Sequence, residues 1–217
     1  MIPLDPRTTA VVSIDMHRGH LDPAVATLPL AAENCRRVVA AARSLFGALR
    51  ERGVPIVHVV TSYRDPSESL SNPFWNAIAS DPQMRRAAAS RHNMAGSPGT
   101  EVIPELRDPR DVVVDRKKRY DCFHGTDLDF VLRRKLGAEA LVLTGVNTTS
   151  CVLCTAFTAN ARDYGVVVAS ECVDSMDGEE MHRYALRNMA ATVAWVLRND
   201  EIVAAVDAGR GAAQARR

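Results

Sequence analysis

Few local structures accommodate residues 143–160, LTGVNTTSCVLCTAFTAN. An aliphatic run, Leu141, Val142 and Leu143, stops at Gly145, passes through a short polar bend, and resumes with helical spacing. That pattern is a strand, a tight turn and the start of a helix. Cys151 falls in the first turn of the helix, where unpaired backbone N–H groups and the positive end of the macrodipole favour an anion. A thiol there is expected to ionise more easily, and the same amides suit the oxyanion formed when sulfur attacks a carbonyl. A buried packing cysteine is the competing reading. The CxxC spacing with Cys154 also fits a redox pair or half of a zinc site, yet no second pair stands at zinc-finger spacing and no thioredoxin-like context surrounds it.

The same alternation runs through the rest of the chain. Residues 10–16, AVVSIDM, read as a buried strand with Asp15 at its exit. Apolar residues at Cys35, Val38, Val39, Ala42, Leu45, Phe46 and Leu49 form a helical stripe that Gly53 terminates, and residues 54–60 form a second strand. Residues 62–100 mix prolines, serines, charges and aromatics without a period, which predicts a long excursion with short helical pieces, used as a lid or a subunit contact. A strand at 111–115 precedes a helix capped by Thr126 or Asp127 and running to Leu136. A strand at 140–144 then leads into the bend and its helix, which is expected to last to about Tyr164. After it come a strand at 166–169, a long helix over roughly 178–197 and a short apolar piece at 202–206. The basic tail, 208–217, is expected to fray. Together these elements predict a single three-layer α/β/α domain, with its core at about 8–207 and a mainly parallel central sheet. Ligands of such sheets bind beyond the carboxyl ends of the strands.

Charge narrows the partners. Twenty-seven basic against 26 acidic residues leave a net +1, which provides no global field to recruit nucleic acid or an anionic membrane, so a small molecule is expected. Five cysteines, an odd number in 217 residues, fit a reducing compartment better than a disulfide framework. The start MIPLDPRTTA lacks the order of a signal peptide, and no apolar run approaches membrane-spanning length. A cytoplasmic protein is expected.

Three chemically capable residues are expected just past the carboxyl ends of three different strands: Asp15 after the first, Lys117 after the third and Cys151 after the fourth. A carboxylate beside a thiol can take its proton and return it to a leaving amine, and a nearby ammonium would favour both anions. Each also has a plain alternative as a turn residue, a solvated charge or a core thiol.

The segments that carry these residues resemble the isochorismatase-like superfamily of cysteine hydrolases. VVSIDM is similar to the family's first strand with its terminal catalytic aspartate, which implies that role for Asp15. KKRYDCFHGTDL resembles the segment bearing the family lysine, and counting back from Phe123 puts it at Lys117 rather than Lys118. LTGVNTTSCV resembles the nucleophile signature and assigns it to Cys151. The resemblance further implies a cis peptide between Val146 and Asn147, and an oxyanion hole made by the Asn147 and Cys151 amides.

Departures from the family pattern bear on substrate. His20 stands where an aromatic pocket wall is common, and reads either as a substrate contact or as a surface turn histidine. The metal-ligand set of the family's nicotinamidases is missing after the second strand, where His58 sits mid-strand as a core histidine. No metal and no cofactor are therefore expected. Residues 124–129, HGTDLD, with Arg119 and Tyr120 upstream, are closer to the ureido-amide hydrolases. Arg64 and Arg119 are candidate clamps for a substrate carboxylate, and Tyr120 and Phe123 candidate pocket walls. The resemblance implies a metal-independent amidohydrolase acting on a small carboxamide or ureido compound, assembled as a homodimer or homotetramer. A vinyl ether hydrolase of the isochorismatase type and a non-catalytic binding member of the fold are the alternatives.

Overall fold

The computed structural model describes residues 3–215. Six strands form one parallel sheet: β1 (Thr9–Ile14), β2 (Ile56–Thr61), β3 (Val112–Lys117), β4 (Ala140–Val146), β5 (Gly165–Asp174) and β6 (Trp195–Leu197), in the order β3-β2-β1-β4-β5-β6. The order reverses direction at β1, between β2 and β4. That is the switch point at which such sheets open a crevice.

Alternate residues of the central strands enter two separate cores, one on each face. Val11, Val60, Val142 and Val167 pack beneath α2 (Ala32–Glu51) and α8 (Asn199–Ala215). Ala10, Val12, Leu141, Leu143 and Val168 pack against α6 (Leu153–Asn160) and α7 (Glu179–Thr192). The expected three layers follow from this period of two. The buried stripe of α2 is Cys35, Val38, Ala42, Leu45, Phe46 and Leu49, as its spacing predicts. Thr126 accepts from the Leu128 amide at 3.2 Å and so starts α5 (Leu128–Phe130), whose wider continuation ends before Gly137, at φ +62°.

Two elements differ from the sequence reading at the carboxyl end. The helix expected over 178–197 stops at Thr192, and residues 195–197 instead pair with Val167, Val168 and Ala169 as β6. β-Branched Thr192 and Val193 weaken the helix where an open sheet edge offers a ladder. The tail expected to fray from 208 is helical through Ala215, while 216–217 lie outside the described residues. Its hold on the body is tertiary: the Leu4 amide donates to the Ala205 carbonyl at 3.0 Å. A Cβ on Gly209 would stand 2.2 Å from the Leu4 carbonyl oxygen.

The excursion begins with α3 (Pro66–Leu70) and α4 (Pro73–Ala79), each with proline in its first turn and capped by the residue before it. Asp65 accepts from the Ser67 amide at 2.8 Å, and Asn72 from the Phe74 and Trp75 amides at 3.0 and 3.1 Å. The remainder is turns and two short 3-10 helices, Ala87–Arg91 and Pro98–Thr100. Arg86 ties it to the loop after β5 through a bidentate pair with Asp177, at 2.5 and 2.8 Å.

Candidate active site

Three strand ends and one turn build the site. Asp15 directly follows β1 and adopts φ +51°, a left-handed conformation that aspartate tolerates better than most residues. Next to it in the sheet, Gly145 pairs with Ile14 at φ +110°. A Cβ there would come within 1.9 Å of the Ile14 carbonyl oxygen, so only glycine lets the ends of β1 and β4 approach. The Val146–Asn147 peptide that follows is cis.

Lys117 is the last residue of β3 rather than a residue beyond it, and a bulge sets its direction. Val59 pairs with Val114, but Thr61 pairs with Lys117, so β3 carries one residue more than β2 in that interval. The mark is visible in the strand's burial: Asp115 and Arg116 are both exposed, and Lys117 is buried. Bulges re-aim side chains in this way.

The resulting cluster is compact. Lys117 Nζ donates to Asp15 Oδ2 at 2.6 Å, to Thr61 Oγ1 at 2.9 Å and to Cys151 Sγ at 3.3 Å. The Thr61 hydroxyl and amide donate to Asp15 Oδ1 at 2.8 and 3.0 Å. All four residues are buried. Burial alone would raise the Asp15 carboxyl, but the Lys117 charge, with His17 Nε2 3.5 Å away, outweighs it and holds it well below the carboxylate range. Burial would lower the Lys117 ammonium, and Asp15 and Cys151 hold it well above the usual lysine value. The pair is therefore ionic.

Cys151 departs from the expectation of easy ionisation. Burial pushes its thiol up to about 11, with the Asp15 charge adding to the rise and Lys117 opposing it. The helix start supplies less than burial removes. The sulfur is held as a thiol that accepts from Lys117 beside the ion pair. Around it, the Ser150 and Val152 amides donate to the Asn147 carbonyl at 3.1 Å each, and the Cys151 amide between them does not.

A cavity of about 60 Å³ opens over Cys151, with walls from His20, Tyr63, Trp75, Arg86, His92 and Tyr120. His20 is a buried wall residue, not a surface turn histidine. Arg119 also borders the cavity, but its guanidinium lies over Trp75 and donates to the Glu68 and Lys118 carbonyls and to Ser71 Oγ. Three of its five N–H groups are engaged in this way.

Two expected residues are elsewhere. Arg64 is 81% exposed and engaged by Glu68, four residues on, beside a separate surface depression. Phe123 packs in the core against Tyr164, with ring centroids 5.9 Å apart. His58 is the core histidine that its mid-strand position suggests, bonded to Ser13 and Asp111 at 3.1 Å each. All five cysteines are free thiols. Thr61, Trp75, Arg86 and His92 escaped the sequence reading. Thr61 had a signal, because it ends β2 as Asp15 follows β1; the other three come from the aperiodic excursion.

Among the described residues, the cluster that offers three metal-ligand atoms together is His17, His20 and His92, within 4.8 Å of one another. One of the three, His17, is already engaged. The Asn93 amide nitrogen lies 2.9 Å from His17 Nε2 and 3.3 Å from Nδ1, and also donates to the Thr61 carbonyl. A neutral His17 that accepts this bond carries its proton on the other nitrogen and has no lone pair left.

A parallel α/β sheet with a buried carboxylate, ammonium and thiol at its switch point defines the cysteine-hydrolase class. The isochorismatase domain model matches residues 9–201, and the chain belongs to the isochorismatase family. It is 30% identical over 212 residues to the ureidoacrylate amidohydrolase RutB of Methylobacterium radiotolerans, covering 90% of this chain and 78% of that protein. Among solved structures it is similar to the N-carbamoylsarcosine amidase of Thermoplasma acidophilum, with TM-score 0.67 and 28% identity over 89% of this chain and 97% of that one. A cysteine hydrolase of Pseudomonas syringae pv. phaseolicola superposes with TM-score 0.79 at 24% identity, over 96% and 97% of the two chains, a likeness of fold. Among the described residues no helix is long and apolar enough to cross a membrane.

Proposed function

We propose that this hydrolase is a metal-independent cysteine amidohydrolase, cleaving the C–N bond of a small carboxamide or ureido compound through a Cys151 thioester and releasing ammonia. One observation carries the reading: a single buried ammonium, Lys117 Nζ, touches both Asp15 Oδ2 and Cys151 Sγ beside the cavity. The likeness to an ureidoacrylate amidohydrolase and an N-carbamoylsarcosine amidase supports the substrate class.

The chemistry follows from the charges. Asp15, ionised and adjacent, takes the thiol proton as Sγ adds to the carbonyl carbon. Negative charge moves to the carbonyl oxygen, where the Asn147 and Cys151 amides are the donors and Lys117 lies nearby. As the tetrahedral intermediate collapses, the C–N bond breaks and the amine leaves with the proton from Asp15. Water then gives a proton to Asp15 and adds to the thioester; the acid product departs, and the proton returns to sulfur. We further propose assembly as a homodimer or homotetramer; residues of the excursion, among them Trp75, Arg86 and His92, wall the cavity.

Ammonia release from a panel of biuret, N-carbamoyl amino acids, ureidoacrylate, maleamate and nicotinamide, measured for wild type and Cys151→Ala with and without chelator, tests the reading. Turnover confined to wild type and indifferent to chelator is expected. Turnover surviving in Cys151→Ala overturns it.

A further inference from the structure

We propose that His20 selects the substrate by accepting, at Nε2, a hydrogen bond from an N–H that the substrate keeps after cleavage. The preferred class is then N-carbamoyl compounds rather than simple carboxamides. The inference rests on the cysteine amidohydrolase reading above.

The tautomer carries the argument. His20, on the short helix α1 (Arg18–Leu21), has Nδ1 2.6 Å from the Leu28 carbonyl oxygen. A carbonyl only accepts, so Nδ1 holds the proton. Burial, with the neighbouring His17, pushes the imidazole down to about 3, which keeps the ring neutral at ordinary pH. The lone pair is thereby on Nε2, and among the described residues nothing donates to it. His17 stacks on the ring at 4.9 Å and His92 lies tilted at 4.6 Å, fixing its plane at the cavity wall.

A fixed acceptor in a cavity wall discriminates by what it leaves unpaired. Lys117 and Arg86 also border the cavity, so a neutral N–H suits it better than an ammonium. In a ureide, R–NH–CO–NH2, Cys151 adds to the carbonyl, the bond to the terminal nitrogen breaks, and ammonia leaves with the proton held by Asp15. The thiocarbamate R–NH–CO–S that remains still carries its N–H, and water converts it to the carbamic acid and restores the thiol. A carboxamide has CH2 at that position and leaves Nε2 bare.

Matched pairs differing only in NH against CH2 test this: N-carbamoylglycine with succinamate, and N-carbamoyl-β-alanine with glutaramate. The measurement is the ratio of kcat/KM within each pair for wild type, His20→Leu and His20→Gln, with calorimetric binding to Cys151→Ala for the same compounds. Wild type should favour the ureide, and His20→Leu should reduce that ratio at least about tenfold, the scale of one lost buried hydrogen bond. His20→Gln should restore part of it through its amide oxygen. Long-range nitrogen NMR of the wild type should show His20 protonated at Nδ1. A proton on Nε2 overturns the inference whatever the variants do. So do equal losses for both members of a pair, no ureide turned over or bound, or a stoichiometric metal ion lost in His20→Leu. Ureide hydrolysis surviving in Cys151→Ala is the separate result that sinks the amidohydrolase reading itself.

Discussion

Lys117 Nζ and Asp15 Oδ2 lie 2.6 Å apart, and no more than 2% of either side chain meets solvent. Such a pair contributes little net stability as a unit, yet losing one partner strands a charge in the interior. Lys117→Met is expected to destabilise the fold by about 3–5 kcal/mol, while Lys117→Met with Asp15→Asn recovers much of the loss. Under the proposed mechanism neither variant turns over. Denaturant melts alongside an ammonia assay separate the two effects; a single variant as stable as wild type would contradict the ionic pair.

The thiol and the carboxyl set the pH profile. Asp15 is depressed, so it stays ionised until pH falls below the ordinary carboxylate range, and Cys151 remains a thiol until pH nears about 11. A flat kcat/KM between those limits is expected, falling on the acid side as Asp15 gains its proton. Alkylation of Cys151 by iodoacetamide should climb steadily toward pH 11. A midpoint near neutrality in the alkylation would show that the thiol is far more acidic than its burial implies, and one in kcat/KM would contradict the depressed Asp15.

Thr61 joins the pair through one hydroxyl, which accepts from Lys117 and donates to Asp15. Thr61→Val keeps shape and removes both bonds. A stability loss of about 1–3 kcal/mol is expected, with kcat reduced about 10- to 100-fold and KM little changed, because the hydroxyl touches the proton carrier rather than the substrate. Steady-state kinetics on the purified variant check the split.

Arg86 and Asp177 link the excursion to the loop after β5. The carboxyl of Asp177 is opposed by burial but held down by Arg86, to about 2. Its folded value lies below its unfolded one, so its contribution is complete above about pH 4 and is lost as pH falls through about 2. With a fifth of each side chain in solvent, about 1 kcal/mol is the expected size. Asp177→Asn should lower the melting temperature at pH 7 and bring it closer to wild type at the acid end of the range. It should also speed proteolysis within residues 62–100.

The sequence by itself determined the alternation of strands and helices, the parallel three-layer fold, and the strand ends near which Asp15, Lys117 and Cys151 lie. Those features depend on local periods of burial and on short motifs, which survive in one dimension. Tertiary structure alone decided the rest. The extra residue of β3 that pairs Lys117 with Thr61 becomes visible only beside β2, and β6 exists only because β5 offers an edge. Phe123 and Arg64 follow plausible motifs, yet one is drawn into the core and the other is held outside by Glu68. His92 reaches the cavity from an aperiodic segment. Cys151 shows the limit most plainly: its helical position predicts an acidic thiol, but the ionisation of a group follows the water and charges around it, and those come from segments more than thirty residues away.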